Sequence, residues 1–253
     1  MTSPRNYQTE AVVIKKTKLG EADSILTLYT PRLGKIQGFA KSLRKPKSKM
    51  AGHLELLTHT MVVFARGRNL DAITGSQTIT SFLPLKTNLE LASRALYATE
   101  LVDQFTPGHV ENHPLFLLLL ETLGHLSQAS DSEIALRHFE LHLLNEVGYR
   151  PQLQHCLSCR TTLDPVVNSF SPSAGGTLCP DCSHAQSLTQ PLSVNALKVL
   201  RLLQDSDYTT VSRLRITPEL SGELEGVTRT YLRYLLEREV KSVAWLDTLK
   251  GPR

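Results

Sequence analysis

Gly20-Glu21-Ala22-Asp23-Ser24-Ile25-Leu26-Thr27-Leu28-Tyr29-Thr30-Pro31-Arg32-Leu33-Gly34-Lys35-Ile36-Gln37-Gly38-Phe39-Ala40 is the stretch on which the reading of the fold turns. Gly20–Asp23 supplies turn residues. Ser24–Thr30 alternates, with Ile25, Thr27 and Tyr29 on one face and Leu26 and Leu28 on the other, which is the period of a half-buried strand. Pro31–Gly34 is a tight turn. Lys35–Ala40 then returns as the second strand of a hairpin. Upstream, the β-branched and apolar run Thr9–Lys15 predicts a strand. Downstream, Glu55–Phe64 and Asp71–Ser81 predict two more, separated by Arg66-Gly67-Arg68-Asn69. Five short strands punctuated by turns predict a small barrel over residues 1–82.

The period changes at Leu89. Leu91, Leu96, Leu101 and Phe105 recur at helical spacing, and Pro107-Gly108 stops the run. A second, very apolar helix is predicted from His113 to Leu126. A third runs from Ser132 to Val147, with Gly148 as its C-cap. Residues 151–190 lose the periodicity and are rich in Pro, Ser, Gly and Cys. A helix resumes over Ser193–Leu203 with Ser193 as N-cap, and a last long helix is predicted from Pro218 to Lys241. The expected organisation is α+β: a β-barrel over 1–82, a helical domain over 83–150 and 191–253, and a cysteine-bearing insert over 151–190. The helical core would need both sides of the insert to close.

All four cysteines lie in that insert, as Cys156-x2-Cys159 and Cys179-x2-Cys182 with nineteen residues between the pairs. This is zinc-ribbon spacing. Each two-residue gap points two thiolates at one centre, and the two turns together supply four sulfurs about 2.3 Å from a tetrahedral Zn²⁺. Four thiolates leave no open position, so such a site is structural. The insert has little apolar sequence of its own, so metal binding would drive its folding. A redox pair, two disulfides or an iron–sulfur centre are the alternatives. Two matched pairs without a βαβ context argue against the first, and the absence of an export signal argues against the second. His155 and His184 flank the pairs and read as loop histidines.

Charge is unevenly placed. Residues 1–70 hold thirteen Lys/Arg against four Asp/Glu, a net of +9, whereas the rest of the chain nets −5. Lys41-Ser-Leu-Arg44-Lys45-Pro-Lys47-Ser-Lys49 places five cations in nine residues, in a predicted loop. Lys35 begins the third strand, and Arg66 and Arg68 occupy a later turn. A concentrated positive field on a small barrel fits a polyanion, and nucleic acid first. Phe39, Tyr29 and Phe64 are candidate stacking platforms, although each fits a core position better. No phosphate-binding G-x-x-x-x-G-K-[ST] loop, G-x-S-x-G or H-E-x-x-H is present. His138 and His142 stand one helical turn apart and read as a polar face. Glu21 and Asp23 read as turn residues. No catalytic constellation emerges, so the chain is expected not to be an enzyme. The start of the sequence is polar and no run approaches a membrane span, from which a cytoplasmic protein is expected.

Read in order, several of these segments resemble the bacterial RecO family of DNA repair and recombination mediators. They are Thr9–Ile14, Gly20–Thr30, Gly34-Lys35 and Ala40-Lys41-Ser-Leu-Arg44. They continue with Phe139–Pro151, the Cys156/Cys159 and Cys179/Cys182 pairs around Phe170-Ser171 and Gly175-Gly176, and Tyr231–Ser242. The resemblance implies an N-terminal OB-fold, a helical domain and a zinc-binding insert. It implies binding of single- and double-stranded DNA, ATP-independent annealing, and cooperation with RecR and single-strand-binding protein in loading RecA onto gaps. Lys35, Lys41 and Arg44 match the family's basic positions; Lys45, Lys47, Lys49, Arg66 and Arg68 rest on charge alone. The family often has Lys-Gly-x-Arg where this chain has Lys41-Ser42-Leu43-Arg44. Two competing readings are a protein-interaction adaptor with a basic docking face and a Mg²⁺ nuclease built on Glu21 and Asp23.

Overall fold

The computed structural model describes residues 5–128, 132–184 and 186–250; the polar start Met1–Pro4 lies outside them. Packing divides the chain into two compact units. One comprises residues 1–128 and 241–253, the other residues 129–240.

Unit 1 opens with five strands: β1 (Asn6–Leu19), β2 (Asp23–Thr30), β3 (Gly34–Ala40), β4 (His59–Ala65) and β5 (Asp71–Thr80). They close into a barrel in the order β1-β2-β3-β5-β4, the order of an OB-fold. β1 is long enough to serve both sides of the closure. Its first half pairs with β4 and its second with β2, with a register shift between Val13 and Lys15. Ala11, Val13, Leu26, Leu28, Ile36, Val62, Phe64 and Ile73 fill the interior. As the alternation predicts, Leu26 and Leu28 point inward. Tyr29 points outward yet is fully buried, because it packs on Phe116 with ring centroids 6.5 Å apart. β4 begins four residues later than the sequence suggests, since Gly52–Leu54 forms a 3-10 turn first and Leu57 adopts a left-handed conformation (φ 63°).

Helices then cover the barrel's outer surface. α1 (Pro84–Thr87) is a single turn. α2 (Leu89–Phe105) is N-capped by Asn88, whose side chain accepts from the Glu90 and Leu91 N–H groups. α2 packs on β1, and α3 (His113–Gln128) packs on α2 and β2. This explains why Ala11–Ile14 is buried without alternation: one face meets the barrel interior and the other meets helix.

Unit 2 holds α4 (Ser132–Glu146), strands β6 (Asn168–Ser171), β7 (Gly176–Leu178) and β8 (Gln190–Leu192) in the order β7-β6-β8, and the one-turn α5 (Pro180–Ser183). It continues with α6 (Val194–Asp205), the short α7 (Tyr208–Val211) and α8 (Pro218–Leu236). Ser193 caps α6 as expected, accepting from the Ala196 N–H at 3.1 Å. α4 packs with both α6 and α8, so chain from both sides of the insert closes one core. The last long helix stops five residues short of its expected end. Glu237 turns left-handed (φ 54°) at its C-cap. A separate α9 (Val243–Lys250) follows and packs on α2 in unit 1. Glu100 of α2 accepts from the Lys241 and Ser242 N–H groups at 2.9 and 2.8 Å, capping α9 from outside. No described helix is long and apolar enough to cross a membrane.

Candidate nucleic-acid interface and metal centre

The basic loop between β3 and the 3-10 turn is anchored at alternate points and charged between them. Leu43 is buried in the barrel core. The Ser42 N–H donates to Asp23 Oδ1 at 2.6 Å, and the Arg44 N–H donates to the Ala22 carbonyl at 2.9 Å. The Arg44 guanidinium donates to the carbonyls of Gly20 and Glu21 in the β1–β2 turn. Asp23 is therefore a brace at the first residue of β2, one position beyond the Gly20–Ala22 turn in which the sequence reading placed it. Lys41, Lys45, Lys47 and Lys49 project from this frame, all exposed. Among the described residues their ammonium groups have no ion pair or hydrogen bond.

The other expected contacts are placed differently. Lys35 is held at the barrel wall: its ammonium donates to the Asp103 carbonyl and lies 3.2 Å from the Asp103 carboxylate. Arg66 lies over the Tyr7 ring, 5.1 Å from its centroid, and its N–H donates to the Arg5 carbonyl. Arg66 and the exposed Arg68 thus sit at the opposite end of β1 from the Gly20–Asp23 turn, so the cations do not gather on one turn cluster. Tyr29 and Phe64 are fully buried and inaccessible to a stacking base. Phe64 stacks instead on Tyr7, with centroids 4.9 Å apart. Phe39 is half-buried.

The four cysteines converge in unit 2. Their sulfurs all lie within 4.8 Å of one another, and Cys159 Sγ and Cys179 Sγ are 3.8 Å apart. Sulfurs at about 2.3 Å from a tetrahedral ion stand about 3.8 Å from each other, so the donor set fits a metal. All four thiols are free, with no disulfide among them. Local folding builds the site. The Cys156 N–H donates to the Thr161 carbonyl, and the Arg160 N–H returns to the Cys156 carbonyl, with Arg160 left-handed (φ 63°). On the other side, the Cys182 and Ser183 N–H groups both donate to the Cys179 carbonyl. The hairpin is held against the preceding chain at Gly176, where a Cβ would stand 2.3 Å from the Gln152 carbonyl oxygen.

The thiols divide protons unequally. Burial raises the Cys156 thiol, but N–H donors from Cys179, Cys159 and Ser158 outweigh it and bring its pKa down to about 6. At Cys179 the Cys182 N–H lowers the value, but burial and the neighbouring thiols win and push it up to about 12. His155 and His184 are exposed and stand outside the cysteine cluster, as expected. His138 and His142 are not a solvent-facing polar pair. Their rings lie 4.0 Å apart, and their Nε2 atoms reach the carbonyls of Ser206 and Leu203 at the end of α6, at 3.2 and 3.1 Å. The insert's apolar residues join the unit's core: Phe170 meets Tyr231 of α8 edge-on, with centroids 5.4 Å apart.

Comparison with known proteins agrees with this architecture. Residues 1–82 match the family model "Recombination protein O N terminal", and residues 86–244 match "Recombination protein O C terminal". The chain belongs to the RecO family. It is 47% identical over 250 residues to "DNA repair protein RecO" of Dehalococcoides mccartyi strain CBDB1, covering 99% of this chain and 98% of that one. The protein of the same name from Roseiflexus sp. strain RS-1 is 44% identical over 246 residues, covering 97% and 87%. That of Symbiobacterium thermophilum is 33% identical over 250 residues, covering 98% and 99%. This RecO-family chain thus combines an OB-type barrel, helical elements and a cysteine cluster able to hold a metal. Sequence reasoning missed Asp103 and the Gly108-His109 segment beside Lys35. Nothing local signals either, because Asp103 lies 68 residues from Lys35.

Proposed function

We propose that the chain is a DNA repair and recombination mediator without enzymatic turnover. It binds single- and double-stranded DNA through its barrel and anneals complementary strands without ATP. With RecR and single-strand-binding protein it helps to load RecA onto gapped DNA, in the cytoplasm at the nucleoid. The observation that supports this most directly is the β3–3-10 loop, whose backbone is fixed while Lys41, Lys45, Lys47 and Lys49 stay exposed and unpaired among the described residues. Fixed cations neutralise phosphates without the entropy loss of first ordering a loop. Two strands so neutralised repel each other less, and their own base pairing then supplies both specificity and driving force.

In this reading Lys35, Arg44, Arg66 and Arg68 take secondary parts. Arg44 shapes the loop as well as adding charge, and Arg66 and Arg68 extend the positive field toward the other end of β1. Residues 1–82 are the DNA-binding domain, 83–150 and 191–253 the helical domain, and 151–190 the metal insert. The metal is one structural zinc ion, because four thiolates at tetrahedral spacing suit Zn²⁺ and leave it no open position. Cys156, Cys159, Cys179 and Cys182 hold it, and its binding supplies the folding energy of the insert.

The test is annealing of two complementary fluorescent oligonucleotides at moderate salt with neither ATP nor Mg²⁺. The protein is expected to accelerate duplex formation well beyond buffer alone. Binding without acceleration would contradict the annealing role, and no binding at low salt would contradict the DNA reading altogether.

A further inference from the structure

A cleft of about 410 Å³ opens on the β2–β3 side of the barrel, within the range of about 300–1,000 Å³ typical of ligand sites. Thr27 of β2, Lys35 and Gln37 of β3, Asn69 of the β4–β5 turn, Lys15 and His109 are among its lining residues. In OB-folds this face, flanked by the loop between strands four and five, is where oligonucleotides bind. The far wall is built by the chain leaving α2. The His109 N–H donates to the Lys35 carbonyl at 2.9 Å, and Gly108 bridges to Lys35 in parallel.

The cleft's cations are already engaged. Lys15 and Lys35 both reach one carboxylate, that of Asp103, each at 3.2 Å. Asp103 and Lys35 are mostly buried, at 15% and 19% side-chain exposure, whereas Lys15 is 57% exposed. Asp71 also lines the cleft, but its two oxygens are taken by the Tyr7 hydroxyl at 2.8 Å and the Gly67 N–H at 2.9 Å. One carboxylate between two ammonium groups occupies the place where a phosphate anion would bind.

We propose that this cleft receives one phosphodiester of a single-stranded DNA through Lys15 and Lys35, and that Asp103 is a positioning residue which holds both ammonium groups until the strand displaces it. The inference rests on the DNA-binding reading above and adds a second contact site and a built-in competitor to it. Lys35 keeps its place when the carboxylate leaves, because it also donates to the main-chain carbonyl of Asp103. A strand arriving at the cleft must therefore break the pairing before it gains the contact. The consequence is a weaker hold on DNA than the cation count suggests, and a preference for strands long enough to reach from the lysine loop to the cleft.

The experiment compares binding of a fluorescent single-stranded oligonucleotide to wild-type protein, Asp103→Asn, Lys15→Ala/Lys35→Ala and the triple variant, across a salt series. Glu111→Gln, which neutralises an exposed carboxylate of unit 1 that does not line the cleft, serves as control. Releasing two partly screened pairs is expected to tighten binding about five- to tenfold in Asp103→Asn. The gain should vanish in the triple variant and be absent in Glu111→Gln. Unchanged or weaker binding by a folded Asp103→Asn overturns the proposal. So does a gain that survives without the two lysines, or an equal gain in Glu111→Gln, since either marks a general charge effect. Should Asp103→Asn fail to fold, the double lysine variant decides alone. Its salt slope should flatten by about 0.7, the value for one phosphate charge no longer neutralised, and an unchanged slope refutes the site. A wild type that binds no oligonucleotide at low salt removes the underlying DNA reading as well.

Discussion

Ser42 occupies a left-handed conformation (φ 54°) at the start of the basic loop, at the position where the family pattern often has Gly. For an L-residue with a Cβ that conformation costs about 1 kcal/mol or more. The turn is retained because the Ser42 N–H is fixed to Asp23 and Leu43 is buried beside it. Ser42→Gly should therefore stabilise unit 1 by about 0.5 kcal/mol, the strain released being partly offset by the larger entropy of Gly in the unfolded chain. Denaturant unfolding measures this, and a destabilised variant would show that the serine side chain contributes more than its backbone costs. At this scale the sequence is legible where partners are near in the chain. The two C-x-x-C pairs specify their own turns, and Gly20–Ala22 forms the turn that its residues suggest. It is not legible for Lys35 or His138, whose acceptors, Asp103 and Ser206, both lie 68 residues away.

At the scale of elements, the five barrel strands and every long helix follow from hydrophobic period and capping residues, whereas the short strands β6–β8 carry no such signal. The boundaries that differ do so for tertiary reasons. α8 ends at Leu236 because Glu237 turns left-handed there, and Glu239 beyond it pairs with Arg233 at 3.0 Å. α9 exists as a separate helix because Glu100 caps it across space. The buried run Ala11–Ile14 shows no alternation because helix covers what would otherwise be the solvent face. Gly34 joins two of these elements. It has φ 60°, and a Cβ there would stand 1.9 Å from the Val110 carbonyl oxygen. Gly34→Ala should cost more than about 2 kcal/mol, combining backbone strain with a clash that no side-chain rotation relieves. Thermal melting checks this, and a wild-type midpoint would mean that the Gly108–Val110 segment is not held against β3.

At the scale of the whole molecule, the chain leaves unit 1 after α3, forms unit 2, and returns to unit 1 with α9. The four cysteines able to hold a metal all belong to unit 2, and the candidate DNA contacts all belong to unit 1. Chelation of zinc, or Cys156→Ser, should therefore lower the melting transition of unit 2 and expose its apolar surface while leaving the barrel's transition in place. Metal content by elemental analysis should be about one equivalent in the wild type and none in the variant. A folded, metal-free wild type would contradict the structural role. That a barrel precedes the helices and that the four cysteines cluster were readable from composition and spacing, whereas the grouping of α2, α3 and α9 with the barrel depends on packing across long sequence separations. The central claim is that the anchored lysine loop on the barrel is where DNA binds. The most direct measurement is the salt dependence of single-stranded oligonucleotide binding by wild type and by Lys41→Ala/Lys45→Ala/Lys47→Ala/Lys49→Ala, with Arg44 left in place to preserve the turn. The account predicts weaker binding at every salt concentration and a log–log slope flatter by up to about 3, at about 0.7 for each phosphate neutralised. A folded variant with the wild-type affinity and slope would contradict it.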